Sequence, residues 1–252
     1  MSKRFDTETD NMKIQNTGFL PDSSLDSPDM EELQIEIAEK AVFEDDFPFS
    51  PGQKLKVAGI DQAFLEDKVI STVVVVQGDE VVERVKAVED LEMPYIPGLL
   101  AFREATAIVT ALQKLSVEPD ILMLDGNGRI HYREAGIATH IGVLFDTPAI
   151  GVGKNLLCGE LVRKTDHLEE GEKVPIHSDE NMNTEKKELI GYAFQSRQYT
   201  NSYRINPIYI SPGHRVSAET SVEIVEKFCE GYKLPEPTRL ADQYADEVKK
   251  SL

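Results

Sequence analysis

Short apolar runs separated by turn residues, followed by alternating helical and extended patterns, most strongly constrain the fold of this chain. Three runs typical of strands come first, at 56–61, 69–77 and 81–89. Gly78 lies between the second and third runs, in a turn that indicates a hairpin. A three-strand meander followed by alternating helices and strands predicts an α/β fold, with a mixed sheet flanked by helices.

The elements after the meander complete one domain, because no internal repeat divides them. The predicted order is a helix at 98–115, a strand at 120–126, a helix at 133–145, a strand at 149–152, an acidic irregular insertion at 164–188, strands at 190–196 and 207–211, a helix at 217–232 and a polar C-terminal helix.

The N-terminal region divides into a tail and a helix. Residues 1–27 are polar, acidic and without apolar periodicity, so we expect a disordered tail. Ser27 as the N-cap and Pro28 at the first helical position predict a helix that continues through an amphipathic stretch. Its apolar face is expected to pack on the domain, which we therefore place at 28–252.

The net charge of −18 is unevenly distributed along the chain. Residues 1–50 carry a net charge of −9, and residues 166–188 carry −5. In contrast, residues 195–217 contain three arginines, three tyrosines and no acidic residue. This stretch is either a strip that faces phosphates or a solvated surface with uneven charge.

Composition argues against several classes of protein. The two cysteines do not suggest a disulfide framework or a cysteine-rich zinc site. The apolar runs are too short to cross a bilayer, so we expect no membrane partner. The N-terminus lacks the apolar segment of a secretory signal, and the cytoplasm is the expected location.

Three acidic residues are candidates for chemistry. Asp61 and Asp125 each follow an apolar run, where an acid either caps a turn or holds a metal ion. Glu104 lies within an otherwise apolar helical stripe formed by Leu100, Ile108, Ala111 and Leu115. A buried carboxylate is costly unless it is paired or coordinates a cation, so Glu104 indicates more than packing.

The order of these acids resembles that of RNase H-like nucleases. One acid follows the first strand, one lies on the first long helix and one follows the fourth strand. Oxygen ligands suit Mg²⁺, and a pair of such ions can stabilise both the attacking and the leaving oxygen in phosphodiester hydrolysis.

Five ordered sequence blocks resemble the endonuclease V family. They are MPYIPGLLAFREA at 93–105, LDGNG at 124–128, GVL at 142–144, GVGK at 151–154 and ISPGHRVS at 210–217. The resemblance runs from about residue 33 to residue 242, which is nearly the whole chain beyond the tail.

The resemblance implies a catalytic set. Asp61 and Asp125 would bind Mg²⁺, with Mn²⁺ as a substitute, and Glu104 would be a ligand or a water-positioning group. His214 would transfer a proton or orient water, and Lys154 would contact a phosphate. Without the resemblance, His214 is typical of a surface loop and Lys154 of a solvated turn.

The resemblance also implies a recognition set. Tyr95, between two prolines, would be the wedge that stacks on nucleic acid and separates the strands. Gly126 and Gly128 would let the backbone approach the edge of a flipped hypoxanthine, and Leu100 and His131 would line its pocket.

The implied activity is Mg²⁺-dependent cleavage of the second phosphodiester 3′ of inosine, in DNA repair, by a monomer. An inosine-specific ribonuclease remains an alternative, because Asn127 and Gly153 depart from the commonest family residues. A non-cleaving reader of inosine in RNA would not need the clustered acids. Another RNase H-like nuclease, such as a junction resolvase, would not need the wedge.

Overall fold

A computed structural model describes residues 12–47, 53–184, 187–198 and 204–252. Within these residues, one sheet contains nine strands: β1 Lys56–Phe64, β2 Lys68–Gln77, β3 Glu80–Asp90, β4 Ile121–Asp125, β5 Ala149–Gly153, β6 Glu160–Leu161, β7 Lys173–His177, β8 Leu189–Phe194 and β9 Ile208–His214. Their spatial order is β3-β2-β1-β4-β5-β9-β8-β7-β6. This is the expected mixed sheet in a single α/β domain.

Helices cover both faces of the sheet. They are α1 Ser27–Lys40, α2 Leu100–Leu112, α3 Ile137–Phe145, α4 Ala218–Lys227 and α5 Glu236–Ser251. One apolar core joins α2 and α3 to the sheet, and a second core joins α4 and α5 to the other face. Alternate residues of β1 enter the two cores, as the strand period of two requires: Ala58 and Ile60 face α2, whereas Val57 faces α5. Among the described residues, no helix is long and apolar enough to span a membrane.

The strand register brings two functional positions to one end of the sheet. β1, β4 and β5 are parallel neighbours, with Ile60 opposite Leu124 and Asp125 opposite Val152. Asp61 and Asp125 therefore follow the last parallel pair together. β1 continues beyond Asp61 to Phe64 through its pairing with β2. Asp61 therefore ends the parallel pairing, and the prediction that it ends the strand is wrong.

The N-terminal segment corrects the predicted disordered tail. Residues 1–11 lie outside the described residues, but Met12 and Ile14 are buried in the core beside α3. The backbone N–H groups of Gln15 and Asn16 donate to the Leu144 carbonyl at 3.0 and 3.1 Å. The domain therefore includes at least residues 12–26. The sequence pattern failed here because two separated apolar residues show no period.

Smaller corrections concern element ends. α1 begins at Ser27, but its N-cap is Asp26, whose side chain accepts from the Asp29 N–H. α3 begins at Ile137, four residues later than predicted. The insertion predicted to be irregular contains β7, whose Val174 and Ile176 are buried.

Candidate active site

Asp61 and Asp125 form the centre of the site, on adjacent parallel strands. Both share the face of the sheet that packs on α5, because Asp61 lies four residues beyond Val57 of that core and Asp125 lies two residues beyond Met123. Asp61 is 6% exposed. Burial, together with a hydrogen bond to Asp125 and the negative charge of that residue, raises the pKa of Asp61 to about 9. Asp61 is therefore protonated at neutral pH and hydrogen-bonded to Asp125.

Glu104 brings a third carboxyl group from α2. It is 5% exposed, and its stripe partners Ile108, Ala111 and Leu115 are buried as predicted. Burial raises the pKa of Glu104 to about 8, while Arg103 opposes this rise and Asp125 adds to it. The influence of Asp125 indicates that Glu104, although α2 covers the opposite face, lies at the same end of the sheet as the strand acids.

Lys154 follows β5 and pairs with the central acids. Its Nζ donates to Asp125 Oδ2 at 2.5 Å. Burial lowers the pKa of Lys154, but the carboxylates of Asp125, Asp61 and Asp242 together raise it above its ordinary value. Lys154 therefore lies beside the acids, and its predicted contact with a phosphate stays a prediction.

Asp242 on α5 is a fourth acid that sequence reasoning missed. Its negative charge raises the pKa of both Asp61 and Lys154. α5 lies directly against β1: a Cβ at Gly59 would be 2.0 Å from the Pro237 carbonyl oxygen, and Thr72 Oγ1 donates to the Ala241 carbonyl at 2.9 Å. The small residues Ala241 and Ala245 beside Asp242 were the available signal for this close approach.

The cluster has the donor chemistry of a site for a hard divalent cation. Its candidate ligands are carboxylate oxygens, and the raised pKa of Asp61 indicates that this concentration of negative charge is unfavourable without a compensating cation. Among the described residues, no three Asp, Glu, His or Cys side chains already surround one point as a formed metal site. Lys154 supplies the nearest positive charge instead.

A cavity of about 120 Å³ is lined by residues from the start of α2 and from the loop that follows Asp125. Three of the predicted recognition residues, Tyr95, Leu100 and His131, line it together. Asn127, two residues beyond Asp125, also lines it. Tyr95 is 61% exposed, as expected of a side chain that contacts a partner.

Comparisons with known proteins identify the family of this chain. The family model described as Endonuclease V matches residues 35–243. This chain belongs to the endonuclease V family. A curated Endonuclease V from Natronomonas pharaonis is 55% identical over 94% of this chain and 98% of its own length. The family assignment makes this chain a nuclease.

Solved structures of endonuclease V share the fold. The catalytic domain of human Endonuclease V has a TM-score of 0.77 and 30% identity, covering 89% of this chain and 96% of the human one. Endonuclease V of Ciona intestinalis has a TM-score of 0.74 and 29% identity, covering 89% and 98%. That structure contains a 24mer DNA with an inosine followed by a ribo-adenosine.

His214 lies away from the carboxylates of this endonuclease V, which corrects its predicted catalytic place. It pairs with Ala149 at the start of β5, whereas Asp125 pairs with Val152, about 10 Å further along the strand. His214 is 4% exposed; its Nε2 is 3.0 Å from Asp146 Oδ1, and its Nδ1 accepts from the Val42 N–H. Because β9 runs antiparallel to β5, His214 at the end of β9 lies beside the start of β5, at the end of the sheet opposite to the acids.

Gly126 and Gly128 each lie where a side chain would collide with neighbouring atoms, and their predicted contact with a base stays a prediction. A Cβ at Gly128 would be 2.2 Å from the Pro212 carbonyl oxygen, and the Gly128 N–H donates to Ser211 Oγ at 2.9 Å. A Cβ at Gly126 would be 2.6 Å from Ile137 Cγ2. In this loop, Asn127 supplies the cavity wall instead.

His131 lines the cavity with its ring, but both ring nitrogens are engaged within the protein. Its Nδ1 accepts from the Arg133 N–H at 3.2 Å, so its Nε2 carries the hydrogen and donates to the Gly98 carbonyl at 3.0 Å. Burial, with the charge of Arg133, lowers the pKa of His131 to about 4, so the ring is neutral. His131 therefore offers shape to a ligand and no free hydrogen-bonding group.

Part of the predicted basic strip lies beside the acids. Burial lowers the pKa of Lys233, and the charges of Lys154 and Arg204 lower it further, which shows that these three cations lie near one another. Arg215 instead binds Asp146 at the other end of the sheet. Tyr199 and Tyr203, which the strip prediction included, lie outside the described residues.

Proposed function

We propose that this endonuclease V recognises inosine in nucleic acid and hydrolyses the second phosphodiester 3′ of it, in a reaction that depends on Mg²⁺. The products would be a 3′-hydroxyl and a 5′-phosphate, with the base still attached. This activity would serve the repair of deaminated DNA.

The observation that carries the proposal is that the cavity is lined by the same loop and helix that carry two of the acids. Asp125 and the cavity-lining Asn127 are two residues apart, and Glu104 lies one helical turn from the cavity-lining Leu100. A base held in the cavity would therefore place the backbone of its own strand near the acids. Recognition and hydrolysis can then act on one strand.

The carboxylates supply the ligands for Mg²⁺. Asp61 and Asp125 would hold the ion, with Glu104 and Asp242 as further ligands or as groups that orient water. When bound, the ion would polarise a phosphate oxygen and increase the acidity of water. The protein's own part is to fix these oxygens in a buried setting, where their interaction with a cation is strong.

The neighbouring cations suit the phosphate backbone. Lys154 is 45% exposed and so can exchange its ion pair with Asp125 for a phosphate when a cation takes over the carboxylate. Lys233 and Arg204 extend the positive charge beyond Lys154. In a chain with a net charge of −18, such a cluster is the favourable place for a polyanion.

Asn127 is the best candidate for reading the base. Its side-chain amide offers both a donor and an acceptor, and its Oδ1 is buried without a hydrogen-bond partner among the described residues. The Ciona relative that was solved with an inosine-containing DNA supports inosine as the ligand. Tyr95, exposed at the rim, is the proposed wedge that occupies the space of the extruded base.

End mapping tests the proposal. A 5′-labelled and a 3′-labelled strand, each with one inosine, are incubated with the enzyme and Mg²⁺, or with a chelator, and the fragments are sized and their ends identified. We expect one Mg²⁺-dependent cut at the second bond 3′ of inosine. Release of free hypoxanthine would indicate a glycosylase and refute the proposal.

The same assay distinguishes DNA from RNA. Four matched strands carry deoxyinosine in DNA, inosine in RNA, or deoxyinosine with a single ribonucleotide on its 5′ or its 3′ side. The Ciona complex, in which a ribo-adenosine follows inosine, is the reason for the last strand. Preferential cutting of the RNA strand would favour the alternative function of an inosine-specific ribonuclease.

A further inference from the structure

The first helix packs on the loop that carries the proposed wedge. We call residues 93–99 the wedge loop. Apolar side chains of this loop, of α1 and of the start of α2 share one small cluster. It includes Met30, Leu33, Met93, Ile96, Leu99 and Phe102. α1 therefore forms the support on which the wedge loop rests, although no residue of α1 belongs to the carboxylate cluster.

Gln34 is the polar member of this support. It is 1% exposed, and its Nε2 donates to the Gly98 carbonyl at 2.9 Å and to the Ala135 carbonyl at 3.4 Å. Its Oε1 accepts from Arg133 Nε at 2.7 Å. One side chain thus joins the wedge loop to Ala135, which also lines the cavity.

The Gly98 carbonyl is the point at which these contacts meet. Besides Gln34, it accepts from His131 Nε2 at 3.0 Å and from Arg133 Nη2 at 3.4 Å. Gly98 has a φ of +83°, so the wedge loop turns at this residue in a conformation that favours glycine. The turn after Tyr95 is therefore fixed by three side chains that also form or support the cavity wall.

The chemistry at this point requires an amide. A buried side chain that donates to two carbonyls and accepts from a guanidinium needs both a donor and an acceptor, which Gln provides. A glutamate would place a carboxylate against the Gly98 and Ala135 oxygens, and an apolar side chain would leave buried polar groups unsatisfied. Packing alone does not explain Gln34.

We propose that Gln34 is a positioning residue that sets the wedge loop against the cavity, so that Tyr95 enters a duplex at the base being extruded. This inference rests on the proposed function. It has a specific consequence: Gln34 matters where two strands must be separated and matters little where inosine is already in a single strand.

The test compares cleavage of inosine in duplex and in single-stranded DNA by single-turnover kinetics. Gln34→Met keeps the shape of the side chain and removes every hydrogen bond, and Gln34→Glu keeps only the acceptor. We expect both variants to lose about tenfold in rate on the duplex, the effect of about one hydrogen bond. The rate on the single strand should be unchanged. Ile37→Val, three residues along α1, is the control for a general loss of packing.

A fluorescent base beside the lesion gives a second measurement. 2-Aminopurine next to inosine brightens when the duplex opens, and Tyr95→Ala sets the signal expected without a wedge. Gln34→Met should resemble Tyr95→Ala, whereas Ile37→Val should resemble the wild type. An opening signal of wild-type size in Gln34→Met, or equal rate losses on both substrates, would overturn the inference. A wild-type enzyme that cuts neither substrate would instead refute the proposed function.

Discussion

At the scale of single residues, His214 forms hydrogen bonds with two parts of the chain that are distant from it in sequence. Its Nδ1 accepts from the Val42 N–H, and its Nε2 donates to Asp146 Oδ1. Arg215 strengthens the same junction: it binds Asp146 and Asp46 at 3.0 and 2.9 Å. This end of the sheet thus holds the segment that leads from α1 towards β1.

We expect His214→Ala to weaken the fold and to leave the chemistry intact. Removing a buried ring that makes two hydrogen bonds should lower the free energy of unfolding by about 1–3 kcal/mol. Urea titration measures that loss, and single-turnover cleavage below the unfolding transition should proceed at the wild-type rate. A loss of about tenfold or more in rate with an unchanged urea midpoint would return His214 to the catalytic set.

His140 should make stability depend on pH. Burial lowers the pKa of His140 to about 4, its Nε2 donates to the Phe19 carbonyl, and its Nδ1 has no partner among the described residues. The unfolded chain therefore binds a proton between about pH 6.5 and 4 that the folded chain does not, so stability falls as the pH falls through this range.

The measurement is the urea midpoint from pH 7 to pH 5. We expect His140→Leu to be less stable than the wild type at pH 7, since it loses the bond to Phe19, but to show a shallower fall with pH. His167→Ala, at an exposed histidine, is the control and should keep the wild-type slope. An unaltered slope in His140→Leu would mean that this histidine takes up a proton equally well in both states.

The predicted acidic residues that the structure brings together share a property that can be recognised in the sequence. Asp61, Asp125 and Glu104 interrupt regular apolar patterns, and a polar residue in such a pattern is visible without a structure. Asp242 lies on a polar helix, where one more acid is not distinctive. The place of His214 depends on the direction of β9, which local sequence does not encode.

At the scale of elements, the predicted order of the central strands and the long helices was confirmed because their apolar runs are long or periodic. β7 was missed because its five residues include Pro175 and lie within an acidic stretch. The packed segment at 12–26 was missed for a related reason. Its buried residues, Met12 and Ile14, are isolated in the sequence, and their burial depends on packing against the core that α3 and the sheet form.

The N-terminal segment should contribute measurably to stability. Met12 and Ile14 are 3% and 6% exposed, and truncating such side chains to Ala typically costs about 2–5 kcal/mol each. We expect Met12→Ala and Ile14→Ala each to lower the urea midpoint. Lys13→Ala, at an exposed position between them, should not. Midpoints equal to the wild type in all three variants would restore the prediction of a detached tail.

At the scale of the whole molecule, net charge opposes the binding of a polyanion. The chain carries −18, yet Lys154, Lys233 and Arg204 lie together beside the site. Salt therefore has opposite effects on the stability of the protein and on its affinity for nucleic acid. It screens the repulsion among surface acids, and it also weakens the attraction between the cationic cluster and phosphates.

We expect KCl to raise the thermal midpoint while it lowers the affinity for nucleic acid. Scanning calorimetry and a binding titration from about 0.1 to 1 M salt measure the two trends, over which the screening length falls from about 10 to about 3 Å. A variant with Asp166→Asn and Glu169→Gln, both at exposed positions, should show a smaller gain in midpoint. A midpoint that falls with salt would show that attractive surface ion pairs outweigh the repulsion.

The central claim is that the carboxylate cluster cuts a strand because the adjacent cavity holds inosine. The most direct measurement is the Mg²⁺-dependent single-turnover rate on strands that differ only in one base: inosine, adenosine or guanosine. Asp125→Asn removes one charge from the cluster, and Asp79→Asn, in the exposed turn between β2 and β3, is its matched control. We predict cleavage at inosine alone by the wild type and Asp79→Asn, and none by Asp125→Asn. Equal cleavage of all three strands, or cutting by Asp125→Asn at the wild-type rate, would contradict the account.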